Sequence, residues 1–403
     1  MKYLIVVPDG AGDEPIAKLG GKTPLQTADM PFINGLAKRG LVGMVKTIPE
    51  GIAPGSDAAN LSVMGYDPAV YLTGRSPLEA VSMGIDMSDT DVAFRTNLIT
   101  LNGDGDYEDL IITDHSSGDI STEEADQLIK AVQDKFGNMQ IGFYTGVSYR
   151  HCMIVKNGDT SYQLTPPHDV LTKRAGDYLP KGEGSEFITK MMKESYEILK
   201  NHPVNIARVK KGLNPANTIW IWGQGKKPSL LSFYDKYNIS GTAVSAVDLI
   251  KGIAICAGLD SMDVLGATGT LHSNFEGKAE AAVIAYEKGK DFVYLHLEAP
   301  DECSHQGDLE GKIKSLEIID KKIIKPVVEY LISKNEDYKV LVVPDHRTPI
   351  ALRTHSSDSV PFVLFNSKYQ NIINDENSFD EVSGAKGMYF DSGFSLADYF
   401  FAR

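Results

Sequence analysis

The sequence predicts an α/β protein with a mainly parallel sheet, interrupted by an inserted α+β domain. Three observations point there. Short apolar runs alternate with stretches of helical periodicity, Asp and His stand at the ends of several of those runs, and the middle of the chain loses the alternation.

The runs lie at 3–7, 218–222, 292–297, 338–343 and 361–365. Most are almost wholly apolar, as strands covered by helices on both faces are. Between them, 31–39, 121–136, 185–200, 244–257, 275–288 and 309–333 place apolar residues at three- and four-residue steps, the period of a helix. Strands alternating with helices build a parallel sheet. From about 67 to 266 the pattern changes to hairpin-like pieces, a turn at Asn102-Gly103-Asp104-Gly105 and a Gly-rich loop at 176–184. The expected division is a core of 1–67 and 266–403 with an insertion at 68–265.

Composition narrows the function. The chain has 403 residues, 42% hydrophobic and 23% charged, enough for two ordinary globular domains. A net charge of −14 gives no general attraction to nucleic acid or anionic lipid, so neither is an expected partner. No apolar stretch approaches the ~20 residues that cross a bilayer, and the five-residue run after Lys2 is shorter than a signal-peptide core and stops at Pro8-Asp9. The three cysteines, Cys152, Cys256 and Cys303, form no CxxC pair and suit a reducing cytoplasm, the expected location. Gly223-Gln224-Gly225-Lys226 follows the run at 218–222 but lacks the third Gly of a dinucleotide loop. Asn102–Asp109 lacks the glycine at the sixth position of a calcium loop.

The chemistry concentrates at the run ends. Asp9 follows 3–7, Asp301 and His305 follow 292–297, Asp345-His346 follows 338–343, and His355 precedes 361–365. Each alone has an ordinary explanation, since Asp is a common turn former and an i, i+4 Asp–His pair on a helix can be a surface hydrogen bond. Together they bring carboxylates and imidazoles to one sheet edge, where open parallel sheets bind ligands. That donor set suits divalent ions such as manganese or zinc. Six protein ligands exceed what one catalytic ion takes, because such an ion keeps an open position. Two ions about 3.5–4 Å apart would share them and clamp an in-line displacement. Ser56, in PGSDAAN at 54–60, is placed as the N-cap of a helix, and a metal-activated hydroxyl there is a candidate nucleophile toward phosphorus.

These residues, in this order, resemble the metalloenzymes of the alkaline phosphatase superfamily. The finer resemblance is to cofactor-independent phosphoglycerate mutases, in the shorter form typical of archaea and some bacteria. It is carried by PDGAGD at 8–13, APGSDAANLSVMGYDP at 53–68, TGRSPLEA at 73–80, AFRTNLIT at 93–100, GVSYRH at 146–151, SAVDLIKGIA at 245–254 and GATGTLHSN at 266–274. The resemblance implies a three-layer core and an insertion acting as a substrate-binding lid. It implies one ion on Asp301, His305 and His355, and another on Asp9, Ser56, Asp345 and His346. Manganese is the first expectation for both, with magnesium, cobalt or zinc as alternatives, and no bisphosphoglycerate is required. The phosphoryl group of 3-phosphoglycerate would rest on Ser56 and return as 2-phosphoglycerate. Arg75, Arg95, Arg150, His151 and Lys278 are the candidates for holding this small anionic substrate. A phosphomonoester hydrolase, or another phosphotransferase of the superfamily, is the alternative. The oligomeric state is not legible here.

Overall fold

In the computed structural model, which describes residues 1–369 and 373–402, KYLIVVP forms strand β1 (Lys2–Pro8), buried from Tyr3 onward. Strand β2 (Leu41–Val45) follows. The chain then enters a run of β3 (Val92–Asn102), β4 (Ile111–Asp114), β5 (Ile141–Tyr144), β6 (Arg150–Val155) and β7 (Thr218–Lys226). It continues through β8 (Gly241–Val244), β9 (Asp260–Met262), β10 (Phe292–Leu297), β11 (Tyr338–Val342), β12 (Val360–Asn366) and β13 (Met388–Phe390).

Two sheets result. The eight-stranded one has the order β13-β2-β12-β11-β1-β10-β8-β9. Its pairings are parallel except those of β12, which runs against both β11 and β2. The period of two along each strand sends alternate residues to opposite faces. Leu4, Val6, Val293 and Leu295 join Ala282 and Phe275 of the helix Phe275–Glu287, and Leu316 and Ile319 of the helix Leu309–Ile319, in one core. On the other face Tyr3 meets Phe400 and Phe401 of the C-terminal helix, and Phe292 stacks on Phe233 at 4.9 Å. The core is thus three-layered, helix–sheet–helix. The expected single helix at 309–333 contains a π-helical stretch, Asp320–Ile324, just before Pro326. Proline cannot donate to the helical ladder, and a widened turn absorbs the lost bond.

The second sheet is antiparallel, with β3 pairing β4, β6 and β7. Phe94, Leu98, Ile219 and Ile221 pack with Leu128 and Val132 of the helix Thr122–Phe136 and with Ile188 and Met192 of the helix Glu186–Leu199. Gly223 and Gly225 lie within β7 and not in a loop after it, which disposes of any phosphate-cradle reading.

The chain divides into two compact units, Met1–Leu72 with Ser229–Arg403, and Thr73–Pro228. The expected insertion, 68–265, was therefore too wide. Residues 229–265 contain β8 and β9, which extend the core sheet beyond β10. GTAV at β8 is four residues long and small-chained, so it carries little strand signal, and Val244 reads as the start of the following helix. Among the described residues no helix is long and apolar enough to cross a membrane.

Candidate two-metal active site

Each candidate ligand sits where a strand meets the loop edge. Asp9 directly follows β1, Asp345 and His346 come shortly after β11, and Asp301 and His305 ride on the helix Ala299–Gln306 that follows β10. His355 precedes β12. Because β12 is antiparallel, its beginning lies at the edge where its parallel neighbours end. One reversed strand is what brings the third histidine to the others.

The donors form two groups, each with one atom per residue and all atoms within 4.8 Å: Asp301, His346 and His355; and Asp9, Asp345 and His346. His305 adjoins the first, with Nε2 3.1 Å from Asp301 Oδ2 and 3.1 Å from His355 Nε2. His305 Nδ1 is 2.9 Å from the carbonyl of Arg353, which can only accept, so Nδ1 carries a proton and the ring is fixed with Nε2 toward Asp301 and His355. In the second group, His346 Nε2 lies 3.4 Å from both Asp9 Oδ1 and Asp345 Oδ2. Ser56 Oγ is 3.2 Å from the same nitrogen. Ser56 is the first residue of the helix Ser56–Val63, and Gly55 holds the cap position without any side-chain capping bond. The expected N-cap role is thereby corrected: the hydroxyl turns toward His346 instead of its own helix.

The electrostatics ask for a cation. Burial, with the carboxylates of Asp345 and Asp301 beside it, pushes Asp9 well above the usual carboxylate range. Asp9 Oδ1 is buried and has no hydrogen-bond partner among the described residues. Burial pushes His346 down, so it is held neutral, as a metal ligand must be. Burial would raise Asp301 too, but hydrogen bonds with His305 and His355 hold it far below the usual range. An orphaned carboxylate oxygen, a neutral imidazole and two groups of carboxylate and imidazole atoms that share His346 have the chemistry of a divalent-metal site.

Several residues of this site escaped the sequence reading. Asn60, one turn after Ser56 and fully buried, donates to Ser56 O and to Asp345 Oδ2, both at 2.8 Å, and accepts from Tyr294. His296, inside β10, lies 3.2 Å from Asp9 Oδ2 and 3.3 Å from Glu298 Oε1. Burial alone would lower its pKa, yet contact with Asp9 and Glu298 pushes it up to about 10. Asn60 and His296 are interior positions of regular elements, where a polar residue amid apolar neighbours was the available signal. Gly10, at φ 62°, donates to Asp345 Oδ1 at 3.1 Å, and a Cβ there would stand 2.5 Å from Asp301 Oδ1 and 2.6 Å from Thr348 Oγ1. Gly10→Ala is therefore expected to cost about 1–3 kcal/mol of stability from the backbone alone. It should also displace Asp301, so a thermal melt and a metal titration should both fall. Unchanged metal content in the variant would mean the loop has room to yield.

Two of the substrate-binding candidates are buried. Along β6, adjacent residues face opposite ways. Arg150 is exposed, whereas His151 points into the interior at 4% exposure, and burial pushes its imidazole down to about 3. Lys278 is 1% exposed and ion-paired with Glu298 at 2.5 Å, with a second bond to His296 O, so it braces the carboxylate behind His296. Arg95 is bidentate to Glu79 and lies 4.9 Å over the Trp222 ring, which also meets His168. Arg150 stacks over Tyr149 at 5.4 Å and has no ion pair among the described residues. Arg75 is exposed just before the helix Ser76–Ser82.

Known proteins agree with this architecture. A family model described as 2,3-bisphosphoglycerate-independent phosphoglycerate mutase matches residues 37–205. The enzyme of that name from Methanosarcina barkeri is 46% identical over 388 residues, 96% of each chain. A solved cofactor-independent phosphoglycerate mutase from Thermoplasma acidophilum is 29% identical, with a TM-score of 0.68 over 99% of each chain. A solved protein of Pyrococcus horikoshii is 28% identical, with a TM-score of 0.82 over 99% of this chain and 97% of its own. Near-complete coverage at such identity leaves one assignment: the chain belongs to the family of 2,3-bisphosphoglycerate-independent phosphoglycerate mutases.

Proposed function

We propose that this chain interconverts 3-phosphoglycerate and 2-phosphoglycerate through a phosphoserine at Ser56, without a bisphosphoglycerate cofactor. The observation that carries the reading is the Ser56 hydroxyl, 3.2 Å from His346 Nε2, at two donor groups that share that imidazole. The donor set is one for two divalent ions, manganese foremost and magnesium, cobalt or zinc as alternatives. When bound, such ions lower the pKa of a nearby hydroxyl and offset phosphoryl charge. Ser56 Oγ loses its proton and attacks phosphorus, the bond from phosphorus to the C3 oxygen breaks, and that oxygen takes up a proton in its place. Glycerate turns, its C2 hydroxyl attacks the phosphoserine and loses its proton, and Ser56 is restored. The amino end of the helix Ser56–Val63 offers the positive end of its dipole to the anion.

The net charge of −14 makes specific cations necessary for a small anionic substrate. Arg150 is the foremost of these in the insertion, with Arg75 and Arg95 beside it in the assignment. The insertion acts as a lid that keeps water from the phosphoserine. Charged hydrogen bonds contribute about 1.5–3 kcal/mol, so Arg150→Ala is expected to slow isomerisation about 10- to 100-fold. It should also raise inorganic phosphate relative to 2-phosphoglycerate, because a looser grip admits water. The test is a paired assay of both products with no bisphosphate added, in the cytoplasmic pH range. Free phosphate as the main wild-type product would replace this reading with a phosphomonoester hydrolase. An unchanged product ratio in the variant would reduce Arg150 to a binding residue.

A further inference from the structure

We propose that Thr348 is a positioning residue that couples the two donor groups, its hydroxyl setting both the tautomer of His346 and the direction of the Asp301 carboxylate. The inference rests on the two-ion reading above.

Thr348 follows the Asp345-His346 pair, is fully buried, and is not itself among the candidate ligands. Its Oγ1 stands 2.5 Å from Asp301 Oδ1 and 3.2 Å from His346 Nδ1. An ionised carboxylate can only accept, so the threonine proton goes to Asp301. The hydroxyl oxygen is then left to accept from His346, which must carry its proton on Nδ1. Nε2 is consequently unprotonated where it faces Ser56, Asp9 and Asp345. One hydroxyl thus links a donor from the helix after β10 to a donor from the loop after β11.

The backbone of Thr348 is pinned as well. Its N–H donates to Gly12 O at 3.2 Å, and its carbonyl accepts from Lys312 Nζ at 3.0 Å. Lys312, itself fully buried, completes a tripod with Gly12 O at 3.2 Å and Asp13 Oδ2 at 2.8 Å. The loop after β1 and the loop after β11 are therefore tied at the residue whose side chain orients both donor groups. A hydroxyl present only to satisfy buried bonds would need neither the tripod nor a second ligand as its partner.

The test uses the full chain stripped of metal. In protein labelled with ¹⁵N-histidine, the His346 nitrogen shifts should show Nδ1–H in the wild type. Manganese titration followed by electron paramagnetic resonance should show two ions bound. Thr348→Val keeps the shape and removes the hydroxyl. It should abolish the fixed tautomer and weaken at least one ion about 10- to 100-fold, the usual effect of losing an outer-shell partner. Thr348→Ser should restore both readouts. Wild-type affinity for both ions in Thr348→Val would overturn the proposal, and so would failure of Thr348→Ser alongside it, which would assign the effect to the methyl group. A wild-type His346 protonated on Nε2 would also overturn it, and that measurement needs no variant to fold. Fewer than two ions in the wild type would instead defeat the two-ion reading.

Discussion

Ser56→Ala is expected to lose at least about a thousandfold in the interconversion of phosphoglycerates, the scale of removing a covalent nucleophile. The protein should remain folded. Ser56 is half-buried, its hydroxyl caps no helix, and the one hydrogen bond recorded for that hydroxyl is to His346. Losing one such bond costs about 1 kcal/mol, which in a chain of this size shifts the melting temperature by no more than about 2–4 °C. Wild-type protein quenched during turnover should carry a phosphoryl group on the peptide containing Ser56, and the variant should carry none. Ample activity in the variant would show that phosphorus is attacked by another group, and the phosphoserine route would have to be abandoned.

Asp345→Asn is expected to have an effect as large, for a different reason. Asp345 is fully buried, and each of its oxygens already accepts: Oδ1 from Gly10 N at 3.1 Å and His346 N at 2.9 Å, Oδ2 from Asn60 Nδ2 at 2.8 Å. Asparagine matches the shape but offers one acceptor. If its oxygen serves Gly10 and His346, its amide faces the amide of Asn60, donor against donor. Turning Asn60 over would then break its bond from Tyr294. The variant loses a negative charge from the second donor group and disturbs the residue that anchors Ser56 O. Elemental analysis after manganese loading and desalting should fall from two ions per chain to one, with turnover down at least about a thousandfold. His355→Ala should likewise leave one ion, the other one, since His355 belongs with Asp301. Two tightly held ions in Asp345→Asn would remove Asp345 from the centre.

The clustered Asp and His residues were legible because metal chemistry draws on few residue types and a parallel sheet delivers its loops to one edge. Asp9, Asp301, Asp345 and His346 each stand within a few residues of an apolar run, so strand and ligand are read together. The supports were not legible. Thr348 and Lys312 are ordinary residues whose roles depend on partners far along the chain, and Lys312 meets Thr348 only after the helix at Leu309–Ile319 docks on the sheet. The environment of His151 was not legible either. It lies next to Arg150 in sequence, but the pleat of β6 sends the two side chains to opposite faces, and a motif cannot say which face a strand buries.

By itself, the sequence determined the alternation of buried strands and helices, the presence of an insertion, the donor set and the serine. All of these are written in local composition and spacing, where period and residue type suffice. Tertiary structure decided the rest. It reversed β12 so that His355 reaches the ligand edge, gave β8 and β9 to the core, turned Ser56 toward His346, and closed Lys278 onto Glu298. The physical reason is common to all four. Strand direction, sheet neighbours and the pairing of buried charges are settled by contacts between residues distant in the chain, 290 positions apart for Ser56 and His346, and no local pattern in the chain encodes them.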